Sequence, residues 1–321
     1  MPCQRILSLS FLRIAGTLAL AIYLGFQPVS AEVPNILIVA SADTAIYQRF
    51  QSTFRTQWDR QNGATVLPPT VFLDDSGLDK AGILADTDLV VTIGSKAARI
   101  IAGMALDIPV LNTVIPESVY RSLPETRQHC RRHTAIFIDQ PVRRQYALAR
   151  LLFPQRDRMG ILLGPVSAGK RAEINQLQSV APRQLTVMEV TEDDSTMSVG
   201  RDMVTTADLL IAINDPVVLS RENAKWLLYV AYQKQVPVIG FSKTYVKAGA
   251  AAAVYSEPEQ IARQSAELAR NWGSASGRCL PSPSHAKYFN VTINHAVSQS
   301  LGSSLHNEDE LVRLIMEQEK P

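Results

Sequence analysis

No stretch of this sequence stays apolar long enough to cross a bilayer. The best candidate, Ile14 to Phe26, runs for about 13 residues, where a spanning helix needs roughly 20. Charge of one sign is also missing. Setting residues 1–31 aside removes Arg5 and Arg13 and no acids, which leaves 30 basic and 30 acidic residues. A surface with no net field, and no basic stripe beyond the local cluster Arg127 to His133, excludes nucleic acid as a partner. Metal-ligand spacing is absent among His129, His133, His285, His295 and His306. The nearest approach, His129 with Cys130 and His133, reads as a solvated basic loop, so no metal or other cofactor is expected. The paired acids Asp74-Asp75 and Asp193-Asp194 sit in turn-like contexts that capping explains. With no nucleophile and base in a recognisable pairing, catalysis is not expected either.

What is present begins with an address. Arg5 and Arg13 precede the apolar run, and the small-residue site Val29-Ser30-Ala31 precedes Glu32. That pattern reads as a secretory signal peptide over residues 1–31, cut after Ala31. An uncleaved anchor is the rival reading, and the shortness of the run argues against it. Cys3 lies ahead of the run, where it cannot serve as a lipoprotein cysteine. The expected product is a soluble periplasmic monomer of 290 residues, long enough for two lobes that each bury a core. After export Cys130 and Cys279 remain. In an oxidising compartment a bridge between them would close a loop of about 150 residues and contribute about 4 to 5 kcal/mol on chain-entropy grounds. Two independent buried thiols are the alternative.

The chain is organised around Ala207 to Tyr255. An apolar run, Leu209 to Ile213, ends in Asn214-Asp215-Pro216; a patterned helix follows; a second run, Val236 to Ile239, ends in Gly240-Phe241-Ser242. Short, continuously apolar strands alternating with helices imply a parallel sheet covered on both faces. Asp88 to Ser95, its helix and Ile108 to Leu111 repeat the pattern, as an internal duplication or as generic strand-helix-strand grammar would both produce. Further strands are expected at 35–40, 71–73, 89–93, 110–114, 134–138, 159–163, 185–190, 251–254 and 289–293. Pro141 opens a helix at the position where proline is tolerated. The fold class is therefore α/β, with two Rossmann-like, doubly wound parallel-sheet lobes joined by a hinge around a cleft. Lobe 1 is expected to hold 32–139 plus 256–280, and lobe 2 to hold 140–255 plus 285–305. Residues 306–321 form an amphipathic tail with Leu311, Ile315 and Met316 on one face. Gly273 to Lys287, rich in Gly, Ser and Pro, reads as a linker.

In such sheets ligands sit beyond the carboxyl ends of the strands, which selects Ser41, Asp43, Ser95, Asn214, Asp215, Ser242 and Thr244. Each has a plainer alternative: Asp215 and Ser95 are equally good helix caps. Gly164-Pro-Val-Ser-Ala-Gly169-Lys170-Arg171 nearly matches a phosphate loop, but Arg171 stands where the magnesium-binding hydroxyl must be. It reads instead as an anion-friendly loop closing over the cleft, which adds Ser167 to the candidates.

Leu210 to Asp215, Pro237 to Ala250, Ile261 to Ala269 and Phe289 to Asn294 together resemble the ABC-transporter substrate-binding protein family that includes tryptophan- and tyrosine-binding lipoproteins. Asp88 to Ala98 with Ile108 to Val110 is similar to that family's first-lobe signature. The resemblance implies a type I periplasmic-binding-protein fold with three crossings between lobes. It also implies that Asp215 faces the ammonium of a small ligand while Ser242, Thr244 and nearby amides face its carboxylate. Departures from the family pattern fall at Val114-Ile-Pro-Glu-Ser118 and at Pro216. The leading function is capture of a small amino acid or carboxylate-like solute for an ABC permease. A transporter-independent periplasmic sensor or uptake accessory is the alternative, and an exported enzyme the third class.

Overall fold

The computed structural model describes residues 34–62, 70–73, 84–124, 131–181, 184–191, 193–274 and 279–319. The leader, Asp74-Asp75, His129 and Cys130 lie outside these residues. From Pro34 onward two six-stranded sheets organise the chain. The strands are β1 Ile36–Ala40, β2 Val71–Phe72, β3 Leu89–Ile93, β4 Val110–Ile115, β5 His133–Phe137, β6 Arg158–Leu163, β7 Gln184–Glu189, β8 Leu209–Ala212, β9 Val238–Gly240, β10 Ala252–Tyr255, β11 Ser284–His285 and β12 Asn290–Ile293. The first sheet runs β11-β5-β4-β3-β1-β2 and the second β12-β10-β9-β8-β6-β7. All pairs are parallel except β10 with β12. The helices are α1 Ala45–Asn62, α2 Ser95–Gly103, α3 Glu117–Arg121, α4 Val142–Leu152, α5 Arg171–Val180, α6 Thr196–Thr206, α7 Arg221–Gln233, α8 Lys243–Lys247, α9 Pro258–Ser274, α10 His295–Ser300 and α11 Glu308–Gln318.

The sheets form where the sequence is continuously apolar. β1 (ILIVA) and β3 (LVVTI) are buried at every position, as strands covered on both faces must be. The first core is closed by helix packing. Phe50, Phe54 and Trp58 recur at i+4 on α1, their rings stacked with centroids 6.1 and 6.2 Å apart. They share a core with Ile261, Ala262, Ala266 and Ala269 of α9, where the three alanines let the two axes approach. Each such ring stabilises by about 1.5–3 kcal/mol on burial. In the second sheet α11 packs on β12 and α4, burying Leu311 and Ile315 and leaving Met316 exposed. The two similar units of the sequence, β3-α2-β4 and β8-α7-β9, occupy matching places in the two sheets.

Two expectations need correction. The first sheet has six strands where the sequence suggested five, and the segment read as a linker is not wholly irregular. α9 extends to Ser274, and Ser284–His285 pairs in parallel with Ile136 and Phe137 of β5. A two-residue strand carries no period, and this one exists because the edge of β5 offers it hydrogen bonds. His285, assigned to the second lobe from the sequence, therefore belongs to the first sheet.

The chain passes between the sheets after β5, after β10 and after β11, and one polar network ties these passages together. Gln140 Nε2 donates to Ser256 Oγ at 2.8 Å, which donates to the Tyr288 carbonyl at 2.6 Å. Arg144 Nη1 donates to Gln140 Oε1 at 2.8 Å and to the Ala286 carbonyl at 2.7 Å. Its other nitrogens grip Glu319 at 2.9 and 2.8 Å. A buried guanidinium needs this full set of acceptors.

Candidate functional site

A cavity of about 490 Å³ lies at the carboxyl ends of strands from both sheets. From the first sheet come the segments after β4 (Pro116 to Val119) and β5 (Ile138 to Gln140). From the second come those after β6 (Val166 to Lys170), β8 (Ile213, Asn214, Pro216) and β9 (Phe241, Ser242). A bulge aims the first of these. The β4–β5 register shifts between Thr113 and Ile115, and Val114 there has φ +54. A β-branched residue is strained in that region of backbone space, and the outcome is that Pro116 and Glu117 turn to the cavity wall.

Much of the wall is apolar: Pro116, Val119, Ile138, Val166, Ile213, Pro216 and Phe241. Its charged groups are Glu117, Arg121, Asp139 and Lys170. Lys170 Nζ, from the second lobe, reaches Glu117 Oε2 of the first at 2.6 Å and Glu173 at 3.1 Å, with His285 Nε2 at 3.3 Å. Arg121 holds the other oxygen of Glu117 at 2.6 Å. Hydrogen bonds from His285, Lys170 and Arg121 keep the Glu117 carboxyl well below the usual carboxylate range, against the opposing effect of burial. Asp139 differs. Its Oδ2 accepts the Glu117 amide at 2.7 Å, and burial pushes its carboxyl up. At the back wall Gln145 Nε2 donates to the carbonyls of Ala212 (2.8 Å) and Gly240 (3.1 Å), tying the ends of β8 and β9 together.

The candidates from the sequence divide. Ser167, Asn214 and Ser242 line the cavity. Asp215 sits just behind it, fully buried. Its Oδ2 accepts Val166 N at 3.0 Å, Ser167 N at 2.8 Å and Ser167 Oγ at 2.9 Å. Its Oδ1 accepts Val217 N at 2.9 Å and Val218 N at 3.3 Å. The loop read as anion-friendly does hold an anion, and that anion is the protein's own Asp215. Gly164 allows the approach, because a Cβ there would stand 2.7 Å from Asp215 Oδ2. Asp215 therefore shapes the wall and has no open face toward a ligand. Ser41, Asp43, Ser95 and Thr244 do not line the cavity. Ser41 Oγ accepts the Ala97 amide at 2.9 Å, capping α2; Asp43 accepts Gln48 Nε2 at 2.7 Å; Ser95 opens α2 and Thr244 lies exposed on α8. Ser242 also caps α8, its Oγ accepting the Tyr245 amide at 3.1 Å. Asp139, Glu117, Lys170 and Gln145 were not foreseen. The rule that selects residues just beyond a strand end applies to Asp139 as well as it did to Asp215.

Among the described residues no group of three or more His, Cys, Asp or Glu side chains is placed to hold a metal, and no helix is long and apolar enough to cross a membrane.

Two parallel-sheet lobes with a cavity at the strand ends between them define a binding protein of the type I periplasmic-binding-protein fold. A family model for ABC transporter substrate binding proteins matches residues 81–311, and the chain belongs to that family, whose members bind substrates rather than transform them. No curated protein matches the chain. Solved structures share the fold at low identity. A Streptococcus pneumoniae ABC domain in complex with L-Trp is 14% identical with a TM-score of 0.58, over 87% of this chain and 97% of that one. The ligand-free, open form of a Clostridium difficile substrate binding protein with adhesive properties is 16% identical with a TM-score of 0.65, over 86% and 97%. A conserved domain protein from Vibrio cholerae is 16% identical with a TM-score of 0.57, over 88% and 98%.

Proposed function

We propose that this protein is a periplasmic, monomeric receptor that captures one small amphipathic solute, of the amino-acid or carboxylate-bearing class, and delivers it to an ABC permease. The cavity carries this reading: it joins an apolar wall to a few polar groups contributed by both lobes, the usual make-up of a small-molecule site. Ser167, Asn214 and Ser242 touch the ligand, while Asp215 organises the loop that presents Ser167. The S. pneumoniae relative's L-Trp suits a wall of this character. Residues 1–31 direct export. The lobes divide at the passages after β5, β10 and β11. A Cys130–Cys279 bridge fits the same picture, since the Leu280 amide donates to the Arg131 carbonyl at 3.0 Å and so brings the neighbours of both cysteines together.

A thermal-shift screen of residues 32–321 against amino acids, small carboxylates, nucleosides and sugars tests the reading. A ligand present at about 100 times its Kd stabilises by about 2.7 kcal/mol. The expected hit is an amino acid or carboxylate; a hit confined to sugars or nucleosides, or none at all, would refute it.

A further inference from the structure

The wall carries two anions and two cations, Glu117 and Asp139 against Arg121 and Lys170, but their pairing is uneven. Both cations of the wall are already committed: Lys170 to Glu117 and Glu173, Arg121 to Glu117. Glu117 is in turn saturated by Lys170, Arg121 and His285. Asp139 makes no ion pair among the described residues, and its one hydrogen bond is the Glu117 amide on Oδ2. Asp139 is half-buried on the cavity wall, and a carboxylate with so few protein partners leaves acceptor capacity facing the cavity. The remaining polar groups of the wall are neutral: Ser118, Gln140, Gln145, Ser167, Asn214 and Ser242. Gln145 directs both its amide hydrogens to Ala212 and Gly240, so toward the cavity it offers an acceptor. The unmet demand of this site is for a cation, and no free cation waits for an anion.

Building on the binding reading above, we infer that Asp139 is the ammonium-binding carboxylate of the cavity and that the amine of the ligand is the group the site requires. The ligand is then an ammonium compound with an apolar body. A carboxylate on that body meets only neutral donors such as the Asn214 amide and is dispensable. The ammonium docks on Asp139 Oδ1 at the first-lobe wall, and the apolar body lies against Ile138, Val166, Ile213 and Phe241. Lys170 closes the remaining side; it and His285 attract Asp139 through space, but the hydrogen bonds of Lys170 go to Glu117 and Glu173. The arrangement differs from the family-based expectation, in which the aspartate after β8 meets the ammonium; here that residue is enclosed by its own loop.

Matched probes separate the two claims. Titration calorimetry compares L-phenylalanine with 2-phenylethylamine and 3-phenylpropionate, and L-tryptophan with tryptamine and indole-3-propionate. In each set the first has both groups, the second only the amine and the third only the acid. The expected order is amino acid and amine within about tenfold of each other, and the acid weaker by about 10- to 100-fold, the range of one desolvated charge-assisted hydrogen bond. Asp139→Asn keeps an acceptor for the Glu117 amide and should weaken the amine by a similar factor while leaving the melting temperature of the free protein within a few degrees of wild type. An acid that binds as tightly as its amine overturns the inference and leaves the cavity reading intact, as does an unchanged amine affinity in Asp139→Asn. Binding of no probe by the wild-type protein overturns both. The wild-type comparison decides the matter even if the variant folds poorly.

Discussion

Asp139 and Asp215 are the same residue type at the same kind of place, one just beyond β5 and the other just beyond β8, yet their environments give them different work. Five protein donors surround the Asp215 carboxylate; one reaches Asp139. Sequence position offered Asp215 as a ligand contact or a helix cap. It could not say which way the carboxylate faces, because the deciding donors, Val166 and Ser167, lie 49 and 48 residues away. Ser41 and Ser95 do not line the cavity for a related reason: a hydroxyl at a strand end serves a helix terminus and a ligand equally well, and the Ser41 hydroxyl, beyond β1, is taken by the Ala97 amide of α2. Asp215→Ala is expected to lower unfolding free energy by about 3 kcal/mol, since buried donors left without an acceptor cost about 1–3 kcal/mol each and the loop relaxes in part. Urea denaturation measures it; a loss under about 1 kcal/mol would show that the five bonds matter little.

At the level of elements, most of what the sequence suggested is present with ends moved by a residue or two. Long apolar runs such as 89–93 are legible because burial on both faces leaves no other pattern. β11 is not legible, being two residues long and induced by its neighbour, and the Val114 bulge is invisible to any periodicity. Both matter, since β11 brings His285 to Glu117 and the bulge brings Glu117 to the cavity. The ion pair between Lys170, at the end of the short 3-10 turn Ala168–Lys170 before α5, and Glu117 of α3 links the lobes, and its pH dependence follows from the depressed Glu117 carboxyl. A carboxylate whose pKa falls on folding adds stability above its ordinary value of 4.5, and that stability drains away as pH falls through the lower, folded value. Unfolding free energy should therefore drop on going below about pH 4.5, and drop less in Glu117→Gln. Equal pH profiles for the two proteins, followed by urea melts between pH 7 and pH 3, would contradict this. Asp139 carries the opposite sign. Burial raises its carboxyl, so ligand affinity should weaken on acidification before Glu117 is affected, with Glu117, Lys170 and His285 as the charges that face it.

Over the whole molecule the three passages between sheets act as one hydrogen-bonded joint, with Arg144 joining Gln140, Ala286 and Glu319. The cavity opens on one side of that joint, so a ligand that touches both lobes at once biases the equilibrium toward closure. The two-lobed plan was readable from strand-helix alternation alone. The composition of the cavity was not, because it depends on which strand ends from the two sheets come face to face.

The sharpest test is calorimetric titration of residues 32–321 with L-tryptophan and L-phenylalanine, compared with the same titration of Val166→Trp. Val166 is 42% exposed on the cavity wall, so a larger side chain there fills the space without forcing the core apart. Binding to the wild-type protein should come with a negative heat-capacity change, the mark of apolar burial, and the variant should bind at least about tenfold more weakly. Binding that is undiminished in Val166→Trp would place the ligand elsewhere and contradict the assignment of this cavity as the ligand site.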